Sequence, residues 1–225
     1  MSKKSFQRLT LLFWALVLVD LLAVFADFAW LHIIAKPLLM PALMLLLLFT
    51  TDTSNNNRNL IFAGLFFSWL GDIFLLFESR QSLFFIFGLA SFLLTHICYI
   101  CYFLSIKSAE FSLLKKYPVY ILLVLGYGIG LVLLLFPFLN DLKIPVIIYA
   151  TVICCMLLSS VHVFFKMKWP ANLFFITGAI LFVLSDSLLA INKFYQPVPL
   201  AGIWIMLTYC AAQYFILRGF IKKGA

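Results

Sequence analysis

Long apolar runs separated by short polar breaks dominate the chain. We read eight runs, at about residues 10–28, 31–50, 60–77, 83–104, 118–136, 144–165, 173–192 and 200–217. The breaks carry turn formers or charges: Thr51 to Asn59, Glu78 to Ser82, Ser105 to Tyr117, Pro137 to Lys143, Lys166 to Asn172 and Lys193 to Pro199. Each run approaches the ~20 residues that a helix needs to cross the hydrocarbon core of a bilayer. Barrel strands alternate apolar and polar positions, whereas Leu43 to Phe49 is apolar throughout. The pattern predicts an all-α polytopic membrane protein with eight transmembrane helices.

Composition narrows the classes. The chain has 225 residues, 65% hydrophobic and 11% charged, with a mean hydropathy of +1.14. A soluble domain is about 45–50% apolar and about 25% charged, so this chain cannot cover itself with polar surface. Soluble enzymes and disordered segments are excluded. Ten glycines and five cysteines fit neither a collagen nor a disulfide scaffold. Eight helices of ~20 residues consume roughly 160 positions. We therefore expect one integral membrane domain over residues 1–225, with any chemistry among the helices or at their ends.

The net charge of +8 does not point to nucleic acid, because the basic residues form no basic face. Assigning alternate breaks to opposite sides puts Lys3, Lys4, Arg8, Arg58, Lys107, Lys115, Lys116, Lys166, Lys168, Arg218, Lys222 and Lys223 on one side. The other side receives Arg80, Lys143 and Lys193, and Lys36 lies inside a span. Basic residues accumulate on the cytoplasmic side, so both termini should face the cytoplasm. Ala23-Val24-Phe25-Ala26 imitates a signal cleavage site, but Asp20 interrupts the stretch before it, and we expect an uncleaved first helix. Cys98, Cys101, Cys154, Cys155 and Cys210 all fall in spans, where free cysteine acts as a small apolar residue. No His/Cys set has zinc spacing.

Residues 67–77 read FSWLGDIFLLF and residues 181–191 read LFVLSDSLLAI. At this offset Leu70, Asp72 and Leu75 meet Leu184, Asp186 and Leu189, and Gly71 meets Ser185. In the following spans Thr95-His96 meets Thr208-Tyr209. Such an echo between spans three and seven, and four and eight, is the register of two parallel four-helix repeats, at about 10–104 and 118–217. It would place Asp72 and Asp186 at matching depth.

A carboxylate inside a span costs about 2.5–3.5 kcal/mol on insertion scales and usually faces the bundle interior. Asp72 follows Gly64 and Ser68 at helical spacing and adjoins Gly71, a small-residue face that permits close helix approach. Asp186 lies between Ser185 and Ser187, which can hydrogen-bond it or a substrate. A purely structural pair of aspartates is the alternative. Asp20 and Asp27 lie in or near the first span without comparable company, Asp27 at the interface.

Lys36 is the cation well inside a span, with His32 one turn earlier on the same face. It can pair with an aspartate or hold a phosphate head group; the alternative is snorkelling to the interface. Pro37 and Pro41 remove helix hydrogen bonds and should free backbone groups to line a cavity. His96, Tyr209 with Gln213 one turn on, and Tyr149 complete the candidate binding set, with Tyr127 as a further buried phenol and Asn192 near the mouth.

Together, Lys36-Pro37, GDIFLLF at 71–77, His96 with its aromatic followers, VLSDSLLAINKF at 183–194, and Thr208-Tyr209 with Gln213 resemble the YhhN-like lysoplasmalogenase family. The resemblance implies an eight-span enzyme that hydrolyses the alkenyl ether bond of lysoplasmalogens to a fatty aldehyde and glycerophosphoethanolamine or glycerophosphocholine. It implies no metal or organic cofactor, and it makes Asp72 and Asp186 the catalytic carboxylates. Vinyl ether hydrolysis proceeds by protonation of the outer alkenyl carbon and capture of an oxocarbenium ion by water. Glycosidases divide related work between two carboxylates. The expected partners are the lysophospholipid substrate and the bilayer, in a bacterial inner membrane. A transporter or proton-coupled carrier is the competing class, since intramembrane aspartates and parallel repeats occur there too.

Overall fold

The computed structural model describes residues 3–50 and 57–223. Of the first expected break, positions 51–56 lie outside the described residues. Every expected span is a helix: α1 Lys3–Phe25, α2 Ala29–Thr50, α3 Arg58–Leu76, α4 Ser82–Leu104, α6 Val119–Leu135, α7 Lys143–His162, α8 Ala171–Ala190 and α9 Ala201–Lys223. A single turn, α5 Leu113–Lys116, precedes α6. No strand occurs among the described residues. Eight of the described helices are long and apolar enough to cross a membrane, which makes the chain an integral multi-pass membrane protein.

Helix ends depart from the hydropathy edges where charge meets helix. α1 begins at Lys3 and α9 continues through Arg218 to Lys223, because Lys and Arg are good helix formers even where they end the apolar run. α7 stops at His162, three residues short of its apolar run. Prolines 118 and 170 directly precede α6 and α8, the end of a helix where a missing N–H costs nothing. The α1–α2 connection turns at Asp27, with φ 55°, a conformation that Asp tolerates better than most residues. Asp27 is exposed there.

The chain divides into two compact units, one reaching to Tyr99 and the other running from Ile100 to Lys223. In the first, α2 runs unbroken through Pro37 and Pro41. Pro41 has no N–H to offer the carbonyl of Pro37, one turn back. We expected that acceptor to line a cavity. Instead the Trp69 indole of α3 donates to it at 2.9 Å, which fixes α3 against α2. α3 also meets α4 closely: a Cβ on Gly71 would lie 2.8 Å from the Phe92 ring, and Gly64 abuts Tyr99. The second unit centres on α8 against α9. A Cβ on Gly178 would lie 2.8 Å from Ile216 and 2.9 Å from the Ala212 carbonyl. Gly219 faces the Phe175 ring in the same seam.

Candidate active site

In the first unit Asp72 is 1% exposed. It lies one turn beyond Ser68, and three residues after Trp69, so it sits between the α4-facing stripe and the α2-facing indole. Asp72 lies about 4.5 Å further along α3 than Trp69, by the 1.5 Å helical rise. Thr95 Oγ1 donates to the Gly64 carbonyl at 3.0 Å and lies 2.9 Å from Ser68 Oγ. These bonds tie α3 to α4 beside His96, which is 0% exposed.

Lys36 is 8% exposed. One turn earlier His32 Nδ1 lies 2.8 Å from Asp20 Oδ1. Asp20, without evident company in the sequence, is buried and joined to α2 by this contact. The pair closes across the tight 26–28 turn, where antiparallel helices bring positions 20 and 32 level. That geometry is the signal that would have found it.

In the second unit Asp186 is half-buried on α8. The Tyr149 hydroxyl of α7 donates to its Oδ2 at 2.5 Å. The Tyr127 hydroxyl of α6 donates to Ser187 Oγ at 2.8 Å, and Ser187 donates to the Val183 carbonyl at 2.6 Å. Tyr127 was expected to be buried, yet 45% of it is exposed, because α6 offers most of its surface to the surroundings. Asp186, Tyr149, Tyr127 and Ser187 form the polar edge of an otherwise apolar pocket among α6, α7 and α8, with Leu131, Val146 and Ile153 in its walls. Ser185 turns elsewhere and donates to the Ile205 carbonyl of α9 at 3.1 Å.

Tyr209 and Gln213 are buried on α9, and the Tyr209 ring meets Phe182 edge-on at 5.7 Å. Asn192 stands in the π-helical turn Ile191–Tyr195. Its side-chain oxygen accepts the Val198 N–H at 2.9 Å, which pins the loop into α9. All five cysteines are free. Among the described residues no group of three or more His, Cys, Asp or Glu gathers as metal ligands.

Comparison with known proteins gives a consistent picture. The YhhN family model matches residues 31–220. Human "Lysoplasmalogenase TMEM86B" is 31% identical over 165 residues, covering 73% of this chain and 65% of that protein. Bovine "Lysoplasmalogenase TMEM86A" is 32% identical over 168 residues, covering 72% and 65%. A "Lysoplasmalogenase" of Mycobacterium bovis is 28% identical over 138 residues, covering 60% and 51%. The chain thus spans less than two thirds of the length of these curated relatives. No solved structure matches it. The family match runs from α2 into α9 and takes in Asp72 and Asp186; this chain belongs to the YhhN family.

Proposed function

We propose that this protein is a lysoplasmalogenase, hydrolysing the alkenyl ether of a lysoplasmalogen. The observation that carries the reading is a carboxylate, Asp186, set by Tyr149 at the edge of an apolar pocket in a YhhN chain whose relatives bear that name. An apolar wall suits an alkenyl chain, and a fixed carboxylate suits the cation that chain becomes. A proton adds to the outer alkenyl carbon, leaving an oxocarbenium ion. Water adds to the cationic carbon, and the resulting hemiacetal collapses to a fatty aldehyde and the free glycerol hydroxyl. Each unit carries one carboxylate for this chemistry, Asp72 or Asp186, and positioned acids and bases contribute about 10²–10⁴-fold to such rates. Lys36 is the candidate for the substrate phosphate, with His96, Tyr209, Gln213, Asn192, Ser185 and Ser187 as further binding candidates.

Two parallel repeats remain the proposed origin of the echo. Gly64 and Gly178, 114 positions apart, both abut the next helix, which supports that register. The excess of basic residues on one set of breaks supports cytoplasmic termini. Purified protein in detergent should release aldehyde and glycerophosphoethanolamine in equal amounts from lysoplasmenylethanolamine. Solute or proton flux in liposomes without release of aldehyde would replace this reading with a carrier.

A further inference from the structure

The first unit holds an acidic and a basic residue, both largely buried, that the hydrolysis itself leaves unused. Asp20 on α1 is 1% exposed, and His32 occupies its Oδ1. Its Oδ2 is also buried and has no hydrogen-bond partner among the described residues. Lys36 on α2 is 8% exposed and forms neither a hydrogen bond nor an ion pair with another described residue. His32 and Lys36 are four residues apart on one helix, so their side chains project from points about 6 Å apart on one face. Asp20, held to α2 through His32, and Lys36 are thus anchored about one helical turn apart, and no ion pair joins them among the described residues. An unmatched charge in a membrane interior is costly and marks a ligand path or binding site.

Position agrees with a head group. Asp20 is five residues before the end of α1 and Lys36 seven after the start of α2. At 1.5 Å per residue, both lie within about 11 Å of the helix ends, the depth at which a lysolipid with its chain in the bilayer carries its polar part.

We propose that Asp20 and Lys36 form the two poles of a binding site for a zwitterionic phosphate–ammonium head group. Lys36 Nζ takes the phosphate and Asp20 Oδ2 the ammonium, while His32 holds Asp20 in place as a positioning residue. The proposal rests on the lysoplasmalogenase reading and specifies its substrate. A primary ammonium donates hydrogen bonds to Asp20 and a quaternary one cannot, so the site favours ethanolamine over choline.

The test compares three substrates, lysoplasmenylethanolamine, lysoplasmenylcholine and the head-group-free 1-alkenylglycerol, and adds calorimetric binding of glycerophosphoethanolamine. Asp20→Asn should lower the ethanolamine-to-choline ratio of kcat/KM by about 10-fold, the scale of a charge-assisted hydrogen bond. Lys36→Met should lower turnover of both phosphate substrates about 10-fold more than that of alkenylglycerol. His32→Gln, at a partly exposed position, should move the ratio in the same direction as Asp20→Asn by about 3-fold. Both buried-site variants should weaken glycerophosphoethanolamine binding. Equal losses on all three substrates, or binding of glycerophosphoethanolamine unchanged by the substitutions, would overturn the head-group site. Wild-type protein that cleaves none of the substrates would instead remove the hydrolase reading, and the binding arm would still decide the site.

Discussion

The two units surround their carboxylates with different chemistry. Asp72 is fully buried in a unit that also buries Asp20, Lys36 and His96. Asp186 is half-buried and meets the Tyr149 phenol at the edge of an apolar pocket. Yet each has a small neighbour turned to the next helix. Gly71 lies against Phe92 on the next helix, and Ser185, its counterpart, bonds Ile205 on the next helix. The comparison teaches that small residues at the seams set helix contact in both units, whereas the polar neighbours differ. On the proposed function, the full charges would serve a head group and the neutral donors an alkenyl chain.

The sharpest way to break this comparison is to neutralise each carboxylate. Asp72→Asn and Asp186→Asn should each lower aldehyde release by about 10³-fold, with helical content by circular dichroism unchanged. A fully active Asp72→Asn protein would leave the charged unit without a catalytic part. Next, Tyr149→Phe removes the donor to Asp186 and should lower kcat/KM by about 10–100-fold, a hydrogen bond to a charged group being worth about 1.5–3 kcal/mol. Tyr127→Phe, whose hydroxyl reaches only Ser187, should stay within about 2-fold.

The packing side of the comparison is read by thermal unfolding. Gly178→Leu and Gly71→Leu overpack the α8–α9 and α3–α4 seams and should each cost about 1–3 kcal/mol. Gly126→Ala and Gly130→Ala on α6, where nothing lies within 4 Å, should be neutral or stabilise by up to about 1 kcal/mol. Trp69→Phe leaves the Pro37 carbonyl without its donor and should cost about 1 kcal/mol.

The spans were legible because burial in a bilayer writes itself as uninterrupted hydropathy, and Lys36, Asp72 and Asp186 stood out as charges inside those runs. Helix ends were less legible, since hydrogen bonding carries α9 to Lys223 past the point where apolar residues stop. Pairings between helices left no periodic trace. Tyr149 and Asp186 are 37 residues apart, and Trp69 and Pro37 are 32 apart. Asp20 looked isolated because its partner belongs to the next helix, and Pro37 looked like the wall of a cavity because its donor belongs to α3.

The most direct measurement is hydrolysis of lysoplasmenylethanolamine by the wild-type protein in deuterated water, with the aldehyde trapped and analysed by mass spectrometry. Proton delivery to the outer alkenyl carbon predicts one deuterium on carbon 2 of every aldehyde released. Aldehyde free of deuterium, or no aldehyde at all, would contradict the account.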